Sequence, residues 1–501
     1  MSKVGQPGAP LASQCAETAS RCRSKCKSEL DSCTADCNQP RDNDACPAVL
    51  ATDGGTYFNG VTDSPTCQTP KWTQPAVSVR ALWLWAFGGT DIPNSLAREA
   101  VYMGTQDNGS FASLEAGAVT PTWTKRDGGD IFDIVADNLH VVSTQFCCLT
   151  SPGSRVFVRD PGDTDGGEIS NYPLGIVPPF KFSDVIVRFG PTRYALIMND
   201  PGSVIGGAAF STLDITRKPV LWTSLGVSLN TACALWVAGL PTNPTFYAAA
   251  GGFCPSFGDS RGFLNRFTGL STTGQWHSGI LPGPSQMVSA FAIDPNNTNR
   301  LIASQVIAGG ARILRSSDGG TTWVADPVLE GLMTGGGIFR MQTLRYVQPS
   351  LLAFDPNDSN TLLAGAVDAG IFLSRNNGAT WVALTNNSGD VSNPVIPYPH
   401  AAYFDRECGK KNIYVATRGR GVWRFSYDDP AAVSVSKCQS GCDVSLTDCQ
   451  NECDKLRNEC MNETGPGKRL PSQCAELRNT CRATCTNTRD ACRQRCTTCP
   501  E

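Results

Sequence analysis

The chain has 501 residues, more than one ordinary domain of ~150 residues holds, and a net charge of −3, which gives no basic footprint for a nucleic-acid partner. Its 49 Gly and 33 Pro favour many turns and short strands over long helices. Its longest apolar runs, such as 81–87, fall far short of the ~18 residues of a membrane helix, so membrane insertion is not expected.

The 23 Cys are the compositional outlier, and sixteen of them lie in 15–37 and 438–499. Zinc ligation would bring His at short spacing, yet His140, His277 and His400 all lie elsewhere. Neither Cys-rich region has the haem attachment motif, so no metal or cofactor is expected. Disulfides are the better reading, which predicts an extracellular or cell-surface protein, with a virion or the periplasm as alternatives. The first residues contain no apolar stretch, so no export signal is visible.

In chain order, Cys15, Cys22, Cys26, Cys33 and Cys37 follow steps of 7, 4, 7 and 4. Eleven residues make three helical turns plus ~20°, so a helix over 13–38 would carry all five on one stripe. Residues 1–40 are read as this Cys-rich helix and 41–67 as a linker, with Cys46–Cys67 a weak candidate pair.

The middle of the chain repeats. The segments 292–325 and 353–384 each read as an apolar stretch, an Asp-Pro-Asn turn, two short strands about a Gly turn, then a Gly-rich turn and Trp. The last turn is Ser316-Ser-Asp318-Gly-Gly320-Thr-Thr322-Trp323 in one copy and Ser374-Arg-Asn376-Asn-Gly378-Ala-Thr380-Trp381 in the other. Gly supplies positive φ, Asp or Asn accepts from turn amides, and Trp anchors the hairpin between sheets. Ser113, Glu115, Gly117 and Trp123 form a degenerate copy. The series Trp72, Trp123, Tyr172, Trp222, Trp276, Trp323 and Trp381 has steps of 51, 49, 50, 54, 47 and 58.

This turn resembles the Asp-box, or BNR repeat, of sialidase-like, sortilin-like and xyloglucanase-like β-propellers. The resemblance implies a mainly β fold with a seven-bladed propeller over 68–428. The final repeat, 401–429, has three strands and no Trp-bearing fourth, so strand 71–76 is expected to close that blade beside 402–427. Cys233 and Cys254 are a candidate pair within it.

Residues 429–501 hold two more cysteine rows. Cys438, Cys442, Cys449, Cys453 and Cys460 step by 4, 7, 4 and 7, while Cys474, Cys481, Cys485, Cys492 and Cys496 step by 7, 4, 7 and 4. Folding the second helix back on the first matches them rung for rung. The ladder is 438–496, 442–492, 449–485, 453–481 and 460–474, and it resembles an α-hairpinin-type hairpin with more rungs. These helices are too polar for an apolar core, so disulfides at roughly 2–4 kcal/mol each supply the stability. The N-terminal row then has no complete unclaimed partner. It predicts either a three-helix bundle or intermolecular disulfides from Cys15, Cys22, Cys26, Cys33 and Cys37.

Three functions follow, in order. The first is a non-catalytic structural or interaction protein of an extracellular assembly, self-associating into an oligomer or filament through its Cys-rich helices. The second is a secreted binding module for a peptide or glycan ligand. The third is a glycoside hydrolase with Asp107 and Asp368 as paired carboxylates; the turn positions of both, and the absence of the sialidase Arg-Ile-Pro tripeptide, weigh against it. Sequons at Asn108, Asn296, Asn357, Asn386 and Asn462 permit glycosylation.

Overall fold

The computed structural model describes residues 84–90, 100–162, 185–250, 262–334, 349–385, 398–428, 435–462 and 468–497, some loop positions excepted, with the backbone of strands at 48–59, 72–73 and 168–170. The expected residues 13–38, Cys46, Cys67, Asp107, Tyr172, Cys254, Asp368 and Asn386 lie outside that description.

A small sheet comes first, made of β1 (Ala48–Thr52), β2 (Gly55–Asn59) and β3 (Trp72–Thr73). A four-stranded sheet follows, of β4 (Leu84–Thr90), β5 (Ala100–Thr105), β6 (Gly109–Ser113) and β7 (Thr124–Asp127). The next holds β8 (Asp130–Ala136), β9 (Val141–Cys147), β10 (Gly153–Arg159) and β11 (Glu168–Ser170). The third of this kind is β12 (Val185–Arg188), β13 (Tyr194–Asn199), β14 (Gly207–Thr212) and β15 (Thr223–Ser224).

Two repeats then merge. The strands β16 (Ala232–Leu240), β17 (Asn243–Ala250) and β18 (Gly262–Thr268) join β19 (Met287–Ile293), β20 (Leu301–Ile307), β21 (Gly310–Ser316) and β22 (Val324–Ala325) in one seven-stranded sheet. The join is the short pairing Gly262↔Val288 and Phe263↔Met287. A sheet of β23 (Pro349–Asp355), β24 (Asp358–Ala366), β25 (Gly370–Ser374) and β26 (Val382–Ala383) follows. The last is β27 (Pro399–Glu407), β28 (Lys410–Thr417) and β29 (Gly421–Asp428). All these pairings are antiparallel.

Burial explains the sequence pattern. Middle strands such as β5 and β25 are buried along their whole length, because a neighbouring sheet covers each face. Outer strands such as β15, β22 and β26 are exposed. An apolar layer fills each gap between successive strand groups. Val142, Leu196 and Phe210 share one such layer; Phe246 and Phe267 pack with Phe189 in the next; Ile302, Ile313, Phe354 and Phe372 share another.

The layer of Leu84, Val101, Met103, Tyr414 and Ala416 joins the last group to the first. Gly89 is needed there, since a Cβ would lie 2.2 Å from the Tyr403 ring. Arg424 of β29 adds hydrogen bonds to the carbonyls of Ala116, Gly117 and Ala118. The succession of sheets is therefore closed, as in a β-propeller.

Two expectations differ from this arrangement. The strand at Trp72 pairs with β2, at Phe58↔Thr73 and Asn59↔Trp72, and not with β29. The segment expected as linker 41–67 supplies that partner hairpin. A nearby edge has the smaller loop to close; by the logarithmic loop rule the difference is roughly 3 kcal/mol. The apolar layer and Arg424 join the last group to the first in place of a shared sheet.

The C-terminal region is a helical hairpin of Val435–Met461 and Pro471–Thr497. Disulfides join Cys442–Cys492, Cys449–Cys485, Cys453–Cys481 and Cys460–Cys474, with Cα separations of 5.6–5.8 Å. These are four of the five rungs read from the spacing. Cys438 and Cys496 lie on the helices, but their side chains are outside the described residues. Cys233 is also disulfide-bonded.

Candidate functional site

The repeated Trp turn is a network of side-chain acceptors. Ser316 Oγ accepts from Gly320 N at 2.9 Å, and Asp318 Oδ1 accepts from Thr321 N and Thr322 N at 3.1 and 2.9 Å. Thr322 Oγ1 donates to Asp318 Oδ2 at 2.6 Å. Hydrogen bonds from the Thr322 hydroxyl and amide, then from Ser316, hold the Asp318 pKa at about 2. Ser374 and Asn376 repeat the pattern on Gly378 N and Thr380 N. In the degenerate copy Glu115 accepts from Thr122 in place of the aspartate. Trp323 Nε1 donates to Ile280 O and Trp276 Nε1 to Leu225 O, each reaching toward the preceding strand group. These acids build turns.

A fourth version carries a further contact. Asp214 Oδ1 accepts from Thr216 N at 3.0 Å and Thr216 Oγ1 at 2.6 Å, while Oδ2 pairs with Arg469 of the hairpin loop at 2.6 Å. Beside it Arg193, only 2% exposed, pairs with Glu459 and donates to Pro241 O at 3.0 Å. The closed end of the helical hairpin is thus docked on its own propeller, at the end where the first and second strands of each group turn. That end also carries Asp137–Arg188 at 2.8 Å and Asp355–Lys411 at 2.8 Å, each linking neighbouring groups.

The opposite end, where the inner strands begin, has a feature without a sequence signal. Among the described residues, the inner, first strands of six groups each carry one extra residue relative to their partner: Trp85, Phe132, Cys233, Ser289, Ser350 and His400. A bulge re-aims a side chain, and here several reach the next group. Ser350 Oγ donates to Pro399 O at 2.6 Å, and His400 bonds the Leu84 carbonyl. Trp85 stacks on Phe132 at 5.6 Å, and the adjacent Asp133 accepts from Ile186 N at 3.0 Å. Burial pushes the Asp133 pKa up to about 6 despite hydrogen bonds from Ile186 N and Ile134 N.

At the closure of this end stand Tyr398, His400 and Arg418. Arg418 lies in the turn between β28 and β29, 7% exposed, with its guanidinium 4.7 Å from the Tyr398 ring centroid. Its Nη1 donates to Tyr398 Oη at 2.8 Å, and its amide bonds Tyr398 O at 3.1 Å. Tyr398 adopts φ of 48°, a left-handed backbone rare for a bulky residue. Burial, then the Arg418 charge, holds the His400 pKa well below the usual imidazole value. His400 Nε2 is buried with no hydrogen-bond partner among the described residues.

Other expected sites sit apart from this cluster. Asn296, Asn357 and Asn462 are exposed, while Asn108 is half-buried in a bridge to Gly129. The amide of Asn296 donates to Pro356 O at 2.9 Å. The sulfurs of Cys449, Cys453 and Cys485 lie within 4.8 Å of one another, but each is already in a disulfide and offers no thiolate to a metal.

No family model and no curated protein matches this chain. Among solved structures it is similar to YCF48 bound to D1 peptide, at 13% identity and TM-score 0.44 over 70% of this chain and 95% of that one. YCF48 from Cyanidioschyzon merolae matches at 12% and 0.42, over 71% and 98%. The GH74 xyloglucanase from Xanthomonas campestris matches at 16% and 0.39, over 74% and 56%.

Proposed function

We propose that the protein is a non-catalytic structural and interaction component of an extracellular or surface assembly, with a seven-bladed Asp-box propeller as its scaffold. Each apolar layer between strand groups supports that blade count, with the seven-stranded sheet counted as two blades. The carrying observation is the docking of the stapled hairpin through Arg193 and Arg469. It makes propeller and helices one stiff body, which suits a building block. The disulfides suit an oxidising compartment. Among the described residues no helix is long and apolar enough to cross a membrane.

Self-association is assigned to the N-terminal row Cys15–Cys37, which would crosslink neighbouring subunits. Gel electrophoresis of native material with and without reductant tests it, together with light scattering of a chain lacking residues 1–40. Multimers that collapse on reduction and vanish in the truncated chain support the reading. Monomer under every condition refutes self-assembly and leaves a binding module for a peptide or glycan as the second reading.

A further inference from the structure

We propose that the outer edge of β29 receives β3, the strand at Trp72, of a second copy of this chain, so that copies join head to tail. The proposal rests on the self-association proposed above, but it places the contact away from the N-terminal cysteine row.

One rule runs through the strand groups. The residue that follows each described Trp of the series pairs with the third strand of its group: Thr124↔Ala112, Thr223↔Ser211, Val324↔Arg315 and Val382↔Leu373. His277, after Trp276, makes an antiparallel bridge to Arg266, with the amide of each donating to the carbonyl of the other at 2.8 Å. The group of β8 to β10 has β11 in that place. Only the last group differs. Its sheet ends at β29, and no described residue hydrogen-bonds to the outer side of that strand. Arg424 spends its side chain on the Ala116, Gly117 and Ala118 carbonyls, which leaves its main chain free to pair.

The open position has a defined register. Both β25 and β29 start at a Gly that closes the same turn, Ala366↔Gly370 in one and Thr417↔Gly421 in the other. Leu373, which takes the fourth strand, is the third residue after Gly370, as Ala112 is after Gly109. The same count reaches Arg424. The Ile371 carbonyl, first after Gly370, accepts from Leu384 N at 2.8 Å and so marks the outer side. Alternate residues of an antiparallel strand aim their main-chain groups the same way. Val422, Arg424 and Ser426 therefore face outward, and Trp423, Phe425 and Tyr427 face β28. Exposure agrees: β25 is buried along its whole length under its fourth strand, while β29 is exposed at Arg424, Ser426 and Asp428.

The occupant is written in the sequence. Trp72-Thr73 repeats the Trp-Thr of 123–124 and 222–223, and each of those begins a fourth strand. In its own chain β3 lies on β2 and ends the small sheet, so its other edge is open among the described residues. An open edge is a template for another chain, and the main-chain bonds of an added strand supply affinity. Donor edge and acceptor edge are different surfaces, so each joined copy still offers one of each at the ends of the series. Such a contact builds a ring or an open filament, not a closed two-fold dimer.

Single-residue hydrogen exchange of the full chain tests this, with Cys15, Cys22, Cys26, Cys33 and Cys37 replaced by Ser so that no N-terminal disulfide holds copies together. Sedimentation velocity gives the state of assembly at each concentration. From monomer to multimer the amides of Val422, Arg424 and Ser426 should slow at least about tenfold, while those of Trp423, Phe425 and Tyr427 stay as they are. Thr73→Pro and Arg424→Pro each remove one main-chain donor. Each variant alone should be monomeric, and an equimolar mixture should form dimers and nothing larger, because one edge of each kind survives. Outer amides that exchange equally fast in monomer and multimer overturn the proposal. So do outer amides that are already slow in the monomer, which would mean that the chain covers its own edge. A serine-substituted chain that stays monomeric while the native chain forms multimers overturns this contact and leaves the cysteine row standing; a native chain that is monomeric throughout removes both. The exchange measurement needs no proline variant to fold.

Discussion

Replacing Arg193 by Met tests whether the helical hairpin is fastened to the propeller. Arg193 is 2% exposed and Glu459 33% exposed, so the pair sits at the edge of a buried region. Breaking a fully buried pair costs roughly 3–5 kcal/mol because one charge is stranded. Water reaching Glu459 returns part of that, while the lost bond to Pro241 O adds to it. About 2–3 kcal/mol is expected, with Arg469–Asp214 still holding the loop. All ten Trp precede residue 429, so their fluorescence follows the propeller alone, while far-ultraviolet circular dichroism follows the hairpin. In urea under oxidising conditions the fluorescence midpoint should fall by that amount while the helical signal stays. Glu459→Gln in the same background should add little, giving a coupling of about 2 kcal/mol. An unchanged midpoint, or full additivity of the two substitutions, would refute the docking.

Trp323→Ala should cost about 2–4 kcal/mol in chemical denaturation, since the half-buried indole loses its packing and its bond to Ile280 O. Asp318→Asn should leave the melting temperature nearly unchanged at neutral pH, because Asn376 fills the same role, whereas Asp318→Ala should lower it. The depressed Asp318 pKa also means that its ionised form stabilises the fold above the usual carboxylate value, an effect lost as pH falls through about 2. Asp133 has the opposite sign: its folded pKa of about 6 favours the protonated form, so stability present below about 4 is lost as pH rises through 6. Asp133→Asn should flatten that slope in melting curves from pH 4 to 7. Removing the rung with Cys460→Ser and Cys474→Ser opens a 14-residue span and should cost roughly 3 kcal/mol, read as a lower helix melting midpoint.

Much of this architecture was legible because it is periodic. The two Trp turns announce themselves through Ser316, Asp318, Ser374 and Asn376, whose side chains make local bonds at fixed offsets. The cysteine rows encode their pairing because helical geometry leaves few ways to match 4, 7, 4, 7 with 7, 4, 7, 4. The candidate site was not legible. A bulge is one extra residue in one strand of a pair, so His400 reads as an ordinary strand residue until the register with Thr417 and Ala416 is known. Arg193 lies in a Gly-Pro-Thr-Arg turn that looks exposed, and its burial is made tolerable by distant partners, the Glu459 carboxylate and the Pro241 carbonyl. Asp214 was missed because its turn keeps Thr and Asp but lacks the glycines that mark the stronger copies. Trp72 misled because a motif fragment says nothing about which edge is nearer.

The hairpin has a mechanical consequence. Its root leaves the last strand group after Asp428, and its closed end is fixed to the group containing Arg193 and Asp214. A helix of 27 residues reaches ~40 Å. The element therefore acts as a tie across the ring, loaded in tension whenever the last group is drawn away from the far side. Four sulfur bridges keep the tie from stretching, and two arginines anchor it.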